Sequence, residues 1–218
     1  KIIGVDGCHL KRPNGGILLT AVGVDPNNNL YPISYAVVNR EARETWEWFL
    51  ILLNEDLGIS NQVEYVFMSD KQKGLIQAFQ EVLPTAAHRF CVRHMNNNFK
   101  NTGFRGLSFK NALWKAARAC TRGEFKARMK ELQDLNQVAF DWFGDKPPEE
   151  WIRSHFNTNV KCDMLLNNCC ETFNMMILDA REKPMLTMLE WIREFFDEKI
   201  AGKQRYGCNK MERKNVQE

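Results

Sequence analysis

The first 90 residues alternate between apolar runs and short polar breaks. Three runs rich in Ile, Val, Leu or Tyr cover Lys1–Val5, Ile17–Val24 and Leu30–Val38, and turn-forming residues separate them. This pattern predicts an antiparallel meander of three strands. Pro32 lies in the third run, and because proline cannot donate a backbone hydrogen bond, it argues against a central position for that strand.

The next segments predict two helices and two more strands. Apolar residues recur at helical spacing from Glu44 to Leu57 and again from Gln72 to Val82. Short β-rich runs at Val63–Met68 and Ala87–Cys91 predict a fourth and a fifth strand. The order β-β-β-α-β-α-β does not suit a doubly wound parallel sheet, so we predict an α/β fold with a mixed sheet whose first three strands are antiparallel.

The rest of the chain predicts helices. Residues 92–160 contain many helix formers interrupted by Gly and Pro, which indicates a mostly helical insertion. Two further helices are predicted from Cys162 to Arg181 and from Met185 to Ile200. The strand-like start without Met and the polar end predict a fragment of a longer protein. The predicted division is a first part of the core (1–94), a helical insertion that is basic in its first half (95–160), C-terminal helices that complete the core (161–206) and a polar tail (207–218).

Composition excludes several classes of protein. The chain has 218 residues, of which 44% are hydrophobic and 26% charged, as in an ordinary folded protein. It has no apolar run of about 18 residues, which argues against a membrane partner or a signal peptide. Seven cysteines, including the adjacent pair Cys169 and Cys170, do not suit a disulfide framework and favour a reducing compartment.

The net charge of +3 hides a strongly basic segment. Residues 91–130 carry ten Lys or Arg and one Asp or Glu, interleaved with aromatic residues. Such a patch is what neutralisation of DNA phosphates requires, and a solvated helix face is the alternative. The ten candidate DNA-binding residues are Arg93, Lys100, Arg105, Lys110, Lys115, Arg118, Arg122, Lys126, Arg128 and Lys130.

Two acidic residues mark the ends of predicted strands. Asp6 directly follows the first run and Asp70 follows the fourth. If those strands are neighbours, the two carboxylates leave the sheet at the same end and can share a metal site. The alternative for Asp70 is an N-cap of the helix that follows it.

A third acidic residue, Glu171, lies on a predicted helix. Asn168, Glu171 and Asn174 form a polar stripe at i+3 spacing on an otherwise apolar helix. A carboxylate there is costly to bury without a partner, which a metal ion, a buried Arg or water would provide.

Cys91 and His94 have the two-residue gap that is common in zinc sites. A structural zinc site needs four ligands, and completion across space would draw on Cys162, Cys169, Cys170 and His155. The alternative is a buried Cys with a His that caps or pairs locally. His94 is also a candidate to approach the acidic site or a phosphate.

Several ordered blocks of the sequence resemble the transposase domain of Mutator-like elements. The matching blocks are Asp6–Lys11, Gly16–Gly23, Pro32–Val38, Trp46–Leu50, Ser69–Leu75 and His88–His94, followed downstream by Asn167–Asn174 and Leu178–Pro184. The resemblance therefore covers nearly the whole chain.

The resemblance implies a ribonuclease-H-like core with a helical insertion before the last catalytic helix. It implies a DDE triad of Asp6, Asp70 and Glu171 that holds two Mg²⁺ or Mn²⁺ ions, and it includes Cys91 and His94, for which Zn²⁺ is a second possible cofactor. The implied function is metal-dependent DNA strand cleavage and transfer at element ends, in the nucleus. The implied partners are terminal inverted repeats, target DNA and further copies of the chain. A domesticated, non-catalytic DNA-binding regulator of transcription is the alternative, and a ribonuclease-H-like nuclease acting on RNA or in repair is a less favoured one.

Overall fold

A five-stranded mixed sheet organises the chain in the computed structural model, which describes residues 1–11, 15–25 and 29–199. The strands are β1 (Ile2–His9), β2 (Ile17–Val24), β3 (Leu30–Val38), β4 (Val66–Ser69) and β5 (Ala87–Phe90). Their order is β3-β2-β1-β4-β5; β2 is antiparallel to β1 and β3, while β4 is parallel to β1 and β5. The predicted mixed sheet with three antiparallel first strands is confirmed.

Helices cover both faces of the sheet and form a separate group between β5 and the C-terminal part. They are α1 (Arg43–Asp56), α2 (Lys73–Val82), α3 (Val92–Asn101), α4 (Leu107–Arg118), α5 (Arg122–Leu135), α6 (Gln137–Asp141), α7 (Asn168–Met176) and α8 (185–199). Within the described ranges, no helix is both long and apolar enough to cross a membrane.

Alternation along the strands divides the core into two layers. Ile3 and Val5 of β1 pack with α1 and α2 on one face, whereas Cys8 packs with α7 and α8 on the other. The interior strand β2 contributes to both layers, and its first seven residues are buried. This double burial explains why β2 reads as a continuous apolar run. β3 lies at the sheet edge, where Pro32 is tolerated.

The first strand is longer than predicted. The apolar run ends at Val5, but β1 continues to His9 because antiparallel pairing with β2 extends to His9 opposite Ile17. Asp6 is therefore inside β1 and does not follow it. β4 is also shifted, since residues Gln62–Glu64 form a short 3₁₀ helix before the strand.

The helical insertion has its own hydrophobic core. Helices α3 to α6 bury Phe99, Leu113 and Leu132 together with Trp151. α3 begins at Val92, and Val92 already belongs to this core, so the insertion starts before the predicted boundary at residue 95.

Arg89 of β5 attaches the returning chain to the sheet. It is 1% exposed, its Nη1 donates to the Cys162 carbonyl at 2.7 Å, and its guanidinium lies 3.8 Å above the Phe156 ring centre. These contacts satisfy a buried cation. They also fix the segment that leads into α7.

The helix predicted from Cys162 to Arg181 is wrong in its bounds. Residues 161–167 are not helical, and α7 covers only Asn168–Met176. The Cys162 carbonyl is bound by Arg89, and the Leu165 carbonyl accepts from the Val92 amide, so these backbone groups are used outside a helix. The helix predicted from Met185 is present over 185–199, whereas its last residue, 200, and the predicted polar tail lie outside the described residues.

Candidate active site

Three residues with titratable side chains, Asp6, Asp70 and Cys91, lie side by side just beyond the parallel pairing of β1, β4 and β5. Gly4 pairs with Met68, so Asp6 and Asp70 are each two residues further along β1 and the chain leaving β4. Ser69 pairs with Phe90, so Asp70 and Cys91 are each one residue further. Neighbouring strands are about 4.8 Å apart, so Asp6, Asp70 and Cys91 lie next to one another across three adjacent strands.

The Asp6 carboxylate is in a strongly negative, partly buried environment. Burial and the neighbouring Asp70 carboxylate raise the pKa of Asp6 to about 7, although His94 and a hydrogen bond from Asn174 act in the opposite direction. Asn174 Nδ2 donates to Asp6 Oδ2 at 2.8 Å, and Asn174 Oδ1 is buried with no hydrogen-bond partner among the described residues. An oxygen-rich site of this charge suits a hard divalent cation.

Asp70 is not the cap of α2. The cap is Gln72, whose side-chain oxygen accepts from the Leu75 amide. The capping interpretation of Asp70 is therefore wrong, and its carboxylate lies instead within electrostatic range of Asp6, His94 and Glu41.

A close approach between α7 and β1 positions the third acidic residue. A side chain at Gly4 would place its Cβ 2.3 Å from Cys169 Sγ and 2.5 Å from Asn167 Oδ1, so only glycine fits under the start of α7. Asn167 Nδ2 also donates to the Val5 carbonyl at 3.0 Å. These contacts fix the start of α7, the helix that carries Glu171, against Gly4 and Val5, and Val5 directly precedes Asp6.

Glu171 lies close to Cys91 and His94. One ligand atom from each of Cys91, His94 and Glu171 lies within 4.8 Å of the others. In the described ranges this is the one such group of three, and Asp6, Asp70 and Glu171 do not form another. The Asp6 and Asp70 carboxylates act on each other, whereas Glu171 lies beside Cys91 and His94.

Arg93 holds Glu171 in this position. Its guanidinium donates to Glu171 Oε2 and, through Nη2, to Asn168 Oδ1 at 3.3 Å. Arg93 was predicted as a DNA-phosphate ligand, but in the structure its cation is paired with a protein carboxylate. The pair is partly exposed, with 47% of the Arg93 and 30% of the Glu171 side chain accessible.

Cys91 and His94 form an electrostatic pair. Burial alone raises the pKa of the Cys91 thiol, but the interactions with His94 and nearby backbone groups outweigh it and lower the pKa below its ordinary value. The interaction with Cys91 raises the pKa of His94 to about 9. The residues predicted to complete a zinc site, Cys162, Cys169, Cys170 and His155, do not join this group, and Glu171 takes that position.

Glu41 is a fourth carboxylate that the sequence did not indicate. Its carboxylate lies over Gly7, where an added Cβ would come within 3.0 Å, and Trp46 Nε1 donates to Glu41 Oε1 at 3.1 Å. Burial, with a smaller contribution from Asp70, raises the pKa of Glu41. No local pattern distinguishes Glu41 from Glu44, which lies three residues later.

The other nine basic candidates follow α3, α4, α5 and their connections. Three of them are paired within the insertion: Arg128 with Glu124 and Glu131, Lys130 with Asp134 and Lys115 with Glu131. The remaining six make no ion pair with another described residue, and these are Lys100, Arg105, Lys110, Arg118, Arg122 and Lys126.

The raised pKa of Asp6 predicts a pH-dependent gain in stability for Asp6→Asn. Between about pH 4 and pH 7 the folded chain holds a proton at Asp6 that the unfolded chain has lost, so this residue contributes less stability as pH rises. We expect Asp6→Asn to raise the free energy of unfolding by about 1–3 kcal/mol at pH 7.5, with little effect at pH 4. Urea unfolding of both proteins across this range measures the difference.

The informative quantity is the difference in free energy of unfolding between the wild type and Asp6→Asn, because other groups also titrate in this pH range. Burial lowers the pKa of His88 to about 3, which affects both proteins equally. Asp56→Asn, at the exposed end of α1, is the matched control and should show no such trend. A stability gain independent of pH would contradict the assignment to Asp6.

Comparison with known proteins finds one matching family model and one similar curated protein. Residues 2–98 match the family model of the MULE transposase domain. A curated relative, the transposase for insertion sequence element ISRM5 from Rhizobium meliloti (strain 1021), is 37% identical over 81 residues. That alignment covers 37% of this chain and 20% of the relative, so the chain matches about a fifth of the relative's length.

Proposed function

Since residues 2–98 match the family model of the MULE transposase domain, we propose that the chain is the catalytic core of a DDE-type DNA transposase that cleaves and transfers DNA strands at element ends. The observation that carries this proposal is the pair Asp6 and Asp70, each two residues beyond the last parallel pair of β1 and β4, Gly4 with Met68. Metal-binding carboxylates at this position are what phosphodiester cleavage requires. The mixed sheet, with a helical insertion before α7, supports assignment to the ribonuclease-H-like class.

The residues present fit Mg²⁺ or Mn²⁺. Asp6, Asp70 and the buried, unpartnered Asn174 Oδ1 offer oxygen ligands, and the raised pKa of Asp6 reflects negative charge that a cation would neutralise. Glu171 supplies a third carboxylate from α7. Bound divalent cations supply activation of the attacking oxygen and stabilisation of the leaving oxygen.

The protein residues have separate tasks in this proposal. Asn174 orients the Asp6 carboxylate through its hydrogen bond. Arg93 pairs with Glu171 beside Cys91 and His94. If Glu171 joined Asp6 and Asp70 as a ligand, the Arg93 guanidinium would be free to contact a DNA phosphate. The basic surface of the insertion holds the DNA backbone without reading its sequence.

Metal dependence of cleavage tests the proposed function. A full-length protein that contains this chain is expected to cut DNA carrying its element ends in Mg²⁺ or Mn²⁺, and to lose this activity in EDTA because no protein group replaces the cation. Gel analysis of end-labelled DNA measures the products. Binding without cleavage in either metal would contradict the proposal and favour the non-catalytic regulator.

A cleft lies between α4 of the insertion and the segment that leads into α7. It has a volume of about 220 Å³ and is lined by Trp114, Arg118, Arg153 and Asn168, among others. The Arg118 guanidinium lies 4.9 Å from the Trp114 ring centre, and Asn168 at the other end contacts Arg93. A DNA backbone along this cleft would contact Arg118 and Arg153 and pass Asn168, a hydrogen-bond partner of Arg93.

Charge reversal in the insertion is expected to weaken DNA binding at every sequence. The triple variant Arg118→Glu, Arg122→Glu and Lys126→Glu changes three exposed cations that have no ion pair among the described residues. Because each phosphate contact releases counterions, the slope of log K against log salt should fall by about 2–3. Fluorescence anisotropy at several salt concentrations measures affinity and slope.

The matched control reverses three exposed cations outside the insertion that likewise have no ion pair among the described residues, Lys73, Lys161 and Arg193. Unchanged affinity and slope in the insertion variant would leave the solvated-face interpretation standing. Terminal inverted repeats and target DNA as the bound sequences, a homo-oligomeric active complex and a nuclear location stay predictions. The relative from Rhizobium meliloti comes from a bacterium, which gives the nuclear location no support.

A further inference from the structure

Cys91, His94 and Glu171 form a cluster whose chemistry differs from that of the acidic pair. Their sulfur, nitrogen and oxygen ligand atoms all lie within 4.8 Å of one another. Mg²⁺ and Mn²⁺ prefer oxygen ligands, whereas a thiolate with an imidazole is typical of zinc and other thiophilic cations. The cluster is therefore a poor site for the cations proposed above and a good one for a softer metal.

The cluster is held by rigid elements and has unused coordinating capacity. Cys91 is fully buried at the junction of β5 and α3, and His94 lies in the first turn of α3. His94 Nδ1 is buried and has no hydrogen-bond partner among the described residues. A buried ring nitrogen without a partner costs stability, and coordination to a cation would satisfy it.

We propose that Cys91, His94 and Glu171 bind one thiophilic divalent cation of the Zn²⁺ class, and that this cation withdraws Glu171 from the acidic pair. Three protein ligands leave a fourth position for water, as in open zinc sites. The site and the proposed DNA-cleaving centre share one carboxylate, and in this proposal a Glu171 that binds the softer cation is not available to Asp6 and Asp70. Arg93 competes for the same carboxylate through its ion pair with Oε2.

Cobalt substitution tests binding without any DNA. Co²⁺ bound through a thiolate gives a sulfur-to-metal charge-transfer absorption that Co²⁺ bound by oxygen alone does not give. We expect the purified chain to show this absorption at one equivalent of Co²⁺, to lose it on addition of Zn²⁺ and to keep it in excess Mg²⁺.

Four variants identify the ligands. Cys91→Ser should remove the thiolate absorption, and His94→Gln and Glu171→Gln should each weaken Co²⁺ binding at least about 10-fold. Cys120→Ser changes an exposed thiol in the insertion and is the matched control. Circular dichroism identifies a variant that fails to fold, in which case the remaining ligand variants decide the outcome.

Arg93→Ala gives an independent readout of the shared carboxylate. Because this change frees Glu171 from a partly exposed ion pair, Co²⁺ affinity should rise about 2–5-fold. A merely structural Glu171 would show no such gain. Absence of the thiolate absorption in the wild-type chain, its persistence in Cys91→Ser, or full affinity in Glu171→Gln would each overturn the proposal.

The competition between the two metals rests on the proposed function and is measured separately. Zn²⁺ at one equivalent should suppress Mg²⁺-dependent cleavage, and Cys91→Ser should resist this suppression relative to its own activity without Zn²⁺. If no cleavage occurs in Mg²⁺, the proposed function fails while the cobalt result stands. If cleavage occurs and Zn²⁺ suppresses the wild type and Cys91→Ser equally, the competition is wrong.

Discussion

Asp70→Asn is expected to lower DNA strand cleavage by at least about 10³-fold in a full-length protein, with the fold retained. Asp70 lies in register with Asp6 beyond the parallel pairing of β1 and β4, and its negative charge contributes to the raised pKa of Asp6. Asparagine has the same size but no negative charge, so the acidic pair loses half of its ligand charge. Cleavage rates on end-labelled DNA in Mg²⁺ measure the effect.

The same variant predicts a second, opposite effect. Removing the Asp70 charge removes one of the two main causes that raise the pKa of Asp6, so the metal-free chain should become more stable near pH 7.5. Loss of activity with a gain in stability distinguishes a functional carboxylate from a structural one. Asp56→Asn should change neither quantity, and a cleavage rate equal to that of the wild type in Asp70→Asn would remove the assignment of the acidic pair.

The sheet could be predicted from the sequence because burial fixes its pattern. β2 and β3 have the bounds of the apolar runs Ile17–Val24 and Leu30–Val38. The run of β2 is continuous because this strand is buried on both faces, and the proline in β3 is tolerated because β3 is an edge strand. Where polar residues occur inside a strand, the prediction is wrong. β1 continues through Asp6 to His9 because backbone pairing with β2 does not depend on side-chain polarity.

The arrangement of the site could be predicted only in part. Asp6 and Asp70 are neighbours because β1 and β4 pair in parallel, with Gly4 opposite Met68; the sequence predicts their proximity only on the condition that these two strands are adjacent. The position of Glu171 depends on where α7 crosses the sheet. Glu171 contacts Arg93 and lies beside Cys91, and the positions of these two residues depend on the pairing of β5 with β4. These are long-range relations, and helical periodicity indicates only that Glu171 faces away from the apolar side of α7.

The crossing of α7 depends on one glycine. The Cβ of an alanine at residue 4 would lie 2.3 Å from Cys169 Sγ, 2.5 Å from Asn167 Oδ1 and 2.9 Å from Cys170 Sγ. All three residues are buried, so their side chains have little room to move. Relief of the clash therefore requires the start of α7 to move away from β1, and Glu171 moves with it.

Gly4→Ala is accordingly expected to lower stability and activity together. Overpacking of a tight core costs about 1–3 kcal/mol in free energy of unfolding, and a displacement of a catalytic side chain by about 1 Å costs about 10²-fold in rate. Urea unfolding and the cleavage assay measure the two effects. A variant with wild-type stability and cleavage would show that α7 does not depend on this contact.

Two further variants separate the clash from a general effect of alanine. Gly123 lies in α5 with no atom within 4 Å of an added Cβ, so Gly123→Ala should be neutral or stabilising by up to about 1 kcal/mol. Adding Cys169→Ala to Gly4→Ala removes the atom that the new Cβ meets first. Partial recovery of both stability and cleavage in this double variant is expected, because the cause lies in the packing of α7 on β1 and not in the glycine itself.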